Sequence, residues 1–436
     1  MQDTPSVYTD FTERTDFFRH FVGQSVLSVC SVYKKRIFSS CLENAIMHLV
    51  IVSPFPPSIT GIGQYGYHLT RALANSGLFS RLTVLAGSAQ NGTHPNHLGL
   101  TEIDYCWQPS SLHARQNILS RVNQLHPDLI WFNLGASIFG KSPFSNLLGL
   151  LTPMNVSRSI PTVVTLHELV ELADLRALNA PGGMLAPLGA RLLTHIATQA
   201  DVVCLTMRHY ANWLAARGVD CAHIPIGAYH EPELLNETDS PELLFFTTLA
   251  PFKGLELLIE AFSRLRKEIP HLRLTIAGTA HTRFPDYANE LRGRFSSTDG
   301  IQWLGQVSEV HVKELFRRAR IVVLPYTAST GSSSVLYQAA TWGRAVVASD
   351  LGEIRKLTVE NNLWIQFFEN GNLKSLYDSL RLLLYSSSLR HDQAQHNFKS
   401  IQSLRPKATC YRYIKAFNHA LEKRRSAKRI PLMESV

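Results

Sequence analysis

At 436 residues the chain has room for about two or three domains, and 45% hydrophobic with 18% charged residues and a mean hydropathy of −0.03 exclude a disordered or collagen-like polymer. No uninterrupted apolar run reaches the ~20 residues that span a bilayer, the nearest being the serine-broken segment from Phe21 to Tyr33. The net charge of +9 lies mostly in the tail, where Arg405, Lys407, Arg412, Lys415, Lys423, Arg424, Arg425, Lys428 and Arg429 face only Glu422 and Glu434, so the near-neutral body gives no expectation of a nucleic-acid partner.

In chain order, residues 1–46 lack the strand-and-helix pattern of the remaining chain and read as an extension. Asp3, Asp10, Glu13 and Asp16 stand where a secretory leader would carry positive charge, so the expected compartment is the cytoplasm. From Met47 onward, short β-branched runs alternate with helical patterns, the signature of parallel sheets joined by crossover helices. The first set of predicted strands is 48–53, 81–86, 128–133, 161–166, 201–206 and 222–226, and the second is 243–249, 272–278, 301–305, 320–325 and 345–349. The polar, acidic segment from Glu231 to Glu242 is the expected linker between them. The resulting division is an extension (1–46), a first domain (47–235), a second domain (236–404) and a C-terminal helix with a basic tail (405–436). In the second domain Leu255, Leu258, Ile259, Phe262 and Leu265 fall on one helical face, and after Pro406 a final helix is expected to carry a stripe of Tyr411, Ile414, Phe417 and Leu421. The tail sequence KRRSAKR offers a peripheral contact with an anionic membrane, although a solvated, frayed terminus explains it as well. Six scattered cysteines, with no CxxC pair and no metal-like spacing to histidine, predict reduced thiols.

Gly61, Gly63 and Gly66 spell GxGxxG, yet they come after the first strand only across Pro54, Pro56 and Pro57, and no acidic residue ends the second strand to hold a ribose. A dinucleotide site is therefore rejected. What remains is a glycine loop before a helix with the face Ile62, Tyr65, Leu69 and Leu73, whose first amides can receive an anion or a sugar hydroxyl. Lys253 lies between a strand and a helix, where its amine can meet a diphosphate as a mobile point charge. Further on, Gly331 admits close backbone approach, and Ser332, Ser333 and Ser334 offer hydroxyls and a helix cap, a seat for phosphate. His167 closes a strand and precedes Glu168; from the residues alone it is equally a hydrogen-bonded structural histidine and a catalytic one. Asp-x-Asp occurs nowhere in the sequence, so no metal site bridging a diphosphate is expected.

Five stretches carry a resemblance in order and spacing: SPFPPSITGIGQYGYHLTRAL, VVTLHELVE, IPIGAY, LAPFKGLELLIEAF and GSSSVLYQAATWGRAVVASDLGEI. From Met47 to about Arg424 the chain resembles the GT-B glycosyltransferases, in particular the family-4 enzymes that use nucleotide-diphosphate sugars. The resemblance implies an α/β fold of two facing doubly wound Rossmann-like domains, with donor and acceptor meeting between them. It implies Lys253 as the ligand of the donor diphosphate, the Gly61–Gly63 loop as a phosphate or acceptor contact, and His167 as the cleft histidine near the transferred sugar. It also implies a retaining transfer of a hexose to a glycan or lipid-linked acceptor, in polysaccharide or glycoconjugate synthesis, with the nucleotide sugar as substrate and no separate cofactor.

Two departures weaken it. The family's arginine before the lysine is Thr248, and its pair of glutamates corresponds to Thr330 and Gln338, of which Gln338 retains an uncharged acceptor for a ribose hydroxyl. Ser332 to Ser334 are expected to compensate. A catalytically silent GT-B subunit that binds a partner transferase or a glycan is the alternative expectation, and a nucleotide-sugar epimerase on the same architecture is a third.

Overall fold

The computed structural model describes residues 47–57, 60–88, 96–140, 142–178, 183–329 and 331–429. The expectations for the 1–46 extension, for Thr330 and for the last residues of the tail lie outside them. Two sheets organise the chain. The first contains β1 (His48–Val52), β2 (Arg81–Gly87), β3 (His97–Leu98), β4 (Thr101–Trp107), β5 (Leu129–Leu134), β6 (Thr162–Leu166), β7 (Val202–Leu205) and β8 (Cys221–His223). The second contains β9 (Glu242–Phe246), β10 (Arg273–Ala277), β11 (Ile301–Gly305), β12 (Ile321–Leu324), β13 (Ala345–Ser349) and β14 (Gln366–Phe368). Their strand orders are β3-β4-β2-β1-β5-β6-β7-β8 and β11-β10-β9-β12-β13-β14. Among the described residues every pairing is parallel except that of β3 with β4.

Both orders reverse once, between β1 and β5 in the first sheet and between β9 and β12 in the second. At such a switch point the loops leaving adjacent strands diverge to opposite faces and open a crevice beyond the strand ends. The helices that matter for the site start from these loops: α1 (Gly61–Asn75) after β1, α2 (Leu255–Glu268) after β9 and α3 (Ser334–Thr341) after β12. Strands buried on both faces read as continuous apolar runs, which is why β1, β5, β12 and β13 are recognisable in the sequence. Three strands go beyond the predicted set. β4 (TEIDYCW) buries Thr101, Ile103 and Trp107 and turns Glu102 and Asp104 outward, so its alternation carries charges; β3 and β14 are short edge strands.

In α2 the expected face is fully buried: Leu255, Leu258, Ile259, Phe262 and Leu265 all enter the core of the second sheet. The last helix, α4 (Pro406–Arg429), departs from expectation. Tyr413 and Phe417 are buried and Ile414 and Leu421 pack at the margin, but Tyr411 is 37% exposed. The reason is that α4 leaves the second sheet and lies across the first. Its Tyr413 hydroxyl sits 2.8 Å from both the Tyr65 hydroxyl and Thr165 Oγ1, and Thr165 Oγ1 also accepts from Trp131 Nε1 at 2.9 Å. Part of the basic tail is likewise committed: Lys423 donates to the Asp201 carbonyl at 2.8 Å and to Asp220 at 3.1 Å, and Arg424 Nε lies 2.6 Å from Asp201 Oδ1.

Tyr413→Phe removes the centre of this buried hydroxyl chain while conserving shape. It should destabilise the protein by about 1–3 kcal/mol, because Tyr65 is left without its acceptor. Denaturant unfolding with an unchanged slope would measure it, and an unchanged midpoint would show that the chain of hydroxyls contributes nothing.

Candidate functional site

On the first lobe, Thr60 caps α1 by accepting the Gly63 amide on Oγ1 at 2.9 Å. The helix approaches β1 and β5 closely: a Cβ at Gly66 would lie 2.3 Å from Ser53 Oγ. That proximity builds a polar network the sequence did not reveal. Asn133, the last polar residue of β5, donates through Nδ2 to Ser53 Oγ and to the Ile62 carbonyl, each at 2.9 Å. Its Oδ1 then accepts from His167 Nε2 at 2.6 Å, which fixes the imidazole as the Nε2–H tautomer. Tyr65 meets the ring edge-on at 4.8 Å. Burial brings the His167 pKa down to about 3, so the side chain is neutral across physiological pH. His167 is thus an anchored neutral group, held by a partner that no sequence pattern marked.

On the second lobe, Lys253 comes after β9 in a short 3-10 turn that Gly254 closes with φ +67°. Its Nζ sits 3.8 Å from the Tyr326 ring centroid and 5.8 Å from that of Phe252. Burial lowers its pKa to about 8, with the Glu168 carboxylate opposing the shift. The same carboxylate supports the charge of Arg283, which burial disfavours, and Arg283 also reaches across to the Leu178 carbonyl of the first lobe at 2.8 Å. Lys253 and Arg283 therefore share a neighbourhood whose anionic partner is Glu168, itself held by the Ala136 amide at 2.9 Å. No sequence pattern marked Arg283.

Gly331 does approach a backbone closely, but the backbone is the protein's own: a Cβ there would lie 2.3 Å from the His167 carbonyl oxygen. The contact brings the loop after β12 onto the end of β6, so Gly331 and His167 are neighbours across the lobes. The expected hydroxyl cap of α3 is absent: Ser333 occupies the cap position in extended backbone without a side-chain bond to the helix. The Ser332 hydroxyl is buried, with the Tyr337 hydroxyl as its neighbour.

Between the lobes lies a cleft of about 110 Å³. Thr60, Gly61 and Gln64 line one side and Thr247, Thr248, Gly278, Ser334 and Gln338 the other. Of the predicted site residues, Gly61, Ser334 and Gln338 meet here. Gly63 lies buried behind the α1 terminus; Lys253, His167, Gly331, Ser332 and Ser333 lie outside the lining. Thr248 and Gln338, the uncharged replacements, both face this cleft.

Two family models match the chain, "Glycosyl transferase 4-like domain" over residues 60–227 and "Glycosyl transferases group 1" over residues 240–386. Among curated proteins, the phosphatidyl-myo-inositol mannosyltransferase of Mycolicibacterium smegmatis is 26% identical over 211 residues, 46% of this chain and 50% of that one. The enzyme of the same name from Mycobacterium tuberculosis is 31% identical over 108 residues, 24% and 27% of the two chains, so the match spans between about a quarter and a half of these relatives. Among solved structures, sucrose-phosphate synthase from Thermosynechococcus elongatus superposes with a TM-score of 0.67 at 15% identity, covering 86% of this chain and 99% of that one. Anabaena HepE in complex with UDP and glucose gives 0.63 at 16% identity, covering 85% and 99%. Identities this low establish a shared fold.

Proposed function

The chain belongs to the GT-B glycosyltransferases of the family-4 type, and from that premise we propose that it moves a hexose from a nucleotide-diphosphate sugar to a glycan or lipid-linked acceptor. The observation that carries the reading is the cleft in which the α1 terminus faces Thr248, Ser334 and Gln338 across the lobes. Two helix N-termini converge on it, each with orphan amides suited to an anion. In this reading the donor extends from the cleft toward Lys253, which lies outside the cleft lining, so that its amine neutralises the diphosphate and Arg283 supplies the charge that Thr248 lacks. Gln338 takes a ribose hydroxyl, and neutral His167 borders the transferred sugar, where it can accept a hydrogen bond on Nδ1 without titrating. The departing nucleoside diphosphate is stabilised by an amine and main-chain dipoles in place of a bridging metal, and retention of configuration is the outcome proposed.

A lipid-linked acceptor is suggested by the phosphatidyl-myo-inositol mannosyltransferases that the chain resembles. Among the described residues no helix is long and apolar enough to cross a membrane, so an acceptor in a bilayer would be met peripherally, with the basic residues of α4 outside the Asp201 and Asp220 pairs as the proposed contact.

The experiment is release of labelled sugar from UDP- and GDP-linked hexoses by the purified chain, with and without candidate acceptors. Turnover supports the enzyme. Binding without turnover would favour the silent subunit, a reading to which the uncharged Thr248 and Gln338 lend weight. Gln338→Glu restores the family carboxylate at a buried position on the cleft. It should tighten donor binding by about fivefold, since a hydrogen bond to a charged partner exceeds a neutral one by roughly 1 kcal/mol; weaker binding in the variant would remove Gln338 from the ribose site.

A further inference from the structure

A second cluster borders the cleft, whose lining includes Glu309, and it needs no assumption about sugar transfer. His68 comes from α1 of the first lobe, His230 from the segment linking the two sheets, and Glu309 from the first position of the helix Glu309–Arg318 in the second lobe. One ligand atom from each lies within 4.8 Å of the others. His230 Nε2 is 2.8 Å from Glu309 Oε1 and forms a hydrogen bond. His68 Nε2 is 2.9 Å from the same oxygen, a close ion-pair contact whose alignment falls short of a well-formed hydrogen bond, on a side chain only 7% exposed. Two imidazoles thus converge on one carboxylate oxygen, and the poorly aligned contact is weaker than a full hydrogen bond.

We propose that His68, His230 and Glu309 bind a borderline divalent transition-metal cation of the Zn2+ class, which joins the two lobes. Two imidazoles and one carboxylate are a donor set for Zn2+ and its neighbours, whereas Mg2+ and Ca2+ require oxygen ligands. Ligand atoms around tetrahedral zinc lie about 3.3 Å apart, given metal–ligand bonds of roughly 2.0–2.2 Å. Small outward movements of the three side chains therefore open the shell. Both rings are held for it: His68 stacks on Tyr229 at 4.6 Å and 15°, and His230 packs against Trp342 at 5.4 Å. A void of about 20 Å³, lined in part by His68 and Tyr229, adjoins the cluster, enough for the water that completes a three-ligand site. Because the ligands come from both lobes and the connecting segment, bound metal opposes separation of the lobes.

The test is Zn2+ titration of the untagged full chain, stripped with chelator, followed by Co2+ substitution. The proposal expects one ion per chain, a higher melting temperature with Zn2+, and tetrahedral ligand-field bands for Co2+ without thiolate charge transfer. His68→Gln, His230→Gln and Glu309→Gln should each weaken binding by more than the roughly 100-fold that outer-shell changes reach, while Cys106→Ser and Cys221→Ser leave it intact. Failure to take up stoichiometric metal, a sulfur charge-transfer band, or uptake that survives all three substitutions would overturn it. The Co2+ spectrum of the wild-type protein decides the ligand type even where a variant fails to fold.

Discussion

Replacing Lys253 with methionine is expected to slow sugar transfer by roughly 100- to 1000-fold, the range found when a donor facing developing charge is lost, while making the protein harder to melt. The side chain packs against Tyr326 and Phe252, and its burial, opposed by the Glu168 carboxylate, brings its pKa from 10.5 to about 8. Below that pH the fold carries a cation that would be better solvated in the unfolded chain. Between pH 8 and 10.5 the unfolded chain binds more protons than the folded one, so the wild type gains stability as pH rises through that window and the advantage of Lys253→Met shrinks. Transfer takes the opposite course. In the proposed role of Lys253 the ammonium is lost above about pH 8, so donor binding is expected to weaken there. His167, with a pKa of about 3, adds no step near neutrality. A variant that melts earlier or turns over normally would show that this lysine is neither buried at a cost nor used.

The second large effect is expected at Gly254. Its φ of +67° lies in the left-handed region, and a Cβ there would stand 1.8 Å from the Pro325 carbonyl oxygen, a backbone atom with no rotamer to yield. Gly254→Ala meets a left-handed penalty of about 1–2 kcal/mol and an overpacking cost of about 1–3 kcal/mol. A combined loss on the order of 3 kcal/mol, read from denaturant midpoints, is the expected outcome, together with weaker donor binding because the turn that presents Lys253 must move. An unchanged midpoint would mean that the turn after β9 relaxes freely.

The fold is legible because its strands are buried on both faces. β1 as HLVIV and β13 as AVVAS carry a polar residue only at one end, and the α2 stripe has the helical period in its purest form. Strands half open to solvent escape such a reading, since the charges of β4 obscure its alternation. The final helix is located by its pattern, but its buried face is not: residues 411, 414, 417 and 421 describe a stripe, yet which stripe is buried depends on the first lobe, through Tyr65, Thr165 and Asp201. Sequence cannot show that a helix crosses back over distant strands. The site divides in the same way. Residues in a local strand-to-helix turn, such as Gly61, Lys253 and Ser334, are recognisable by chemistry and position. Groups that matter only through spatial neighbours are invisible, namely Asn133 behind His167, Glu168 and Arg283 around Lys253, and the His68–Glu309 approach.

The most direct measurement is an isotherm for UDP and GDP, wild type against Lys253→Met, at neutral pH and again above pH 8. Saturable binding of at least one nucleoside diphosphate, weakened by the substitution and by the rise in pH, is the expected result. Absence of binding at millimolar ligand, or binding indifferent to Lys253, would contradict the proposal that helix termini at the cleft and the nearby Lys253 amine together hold pyrophosphate.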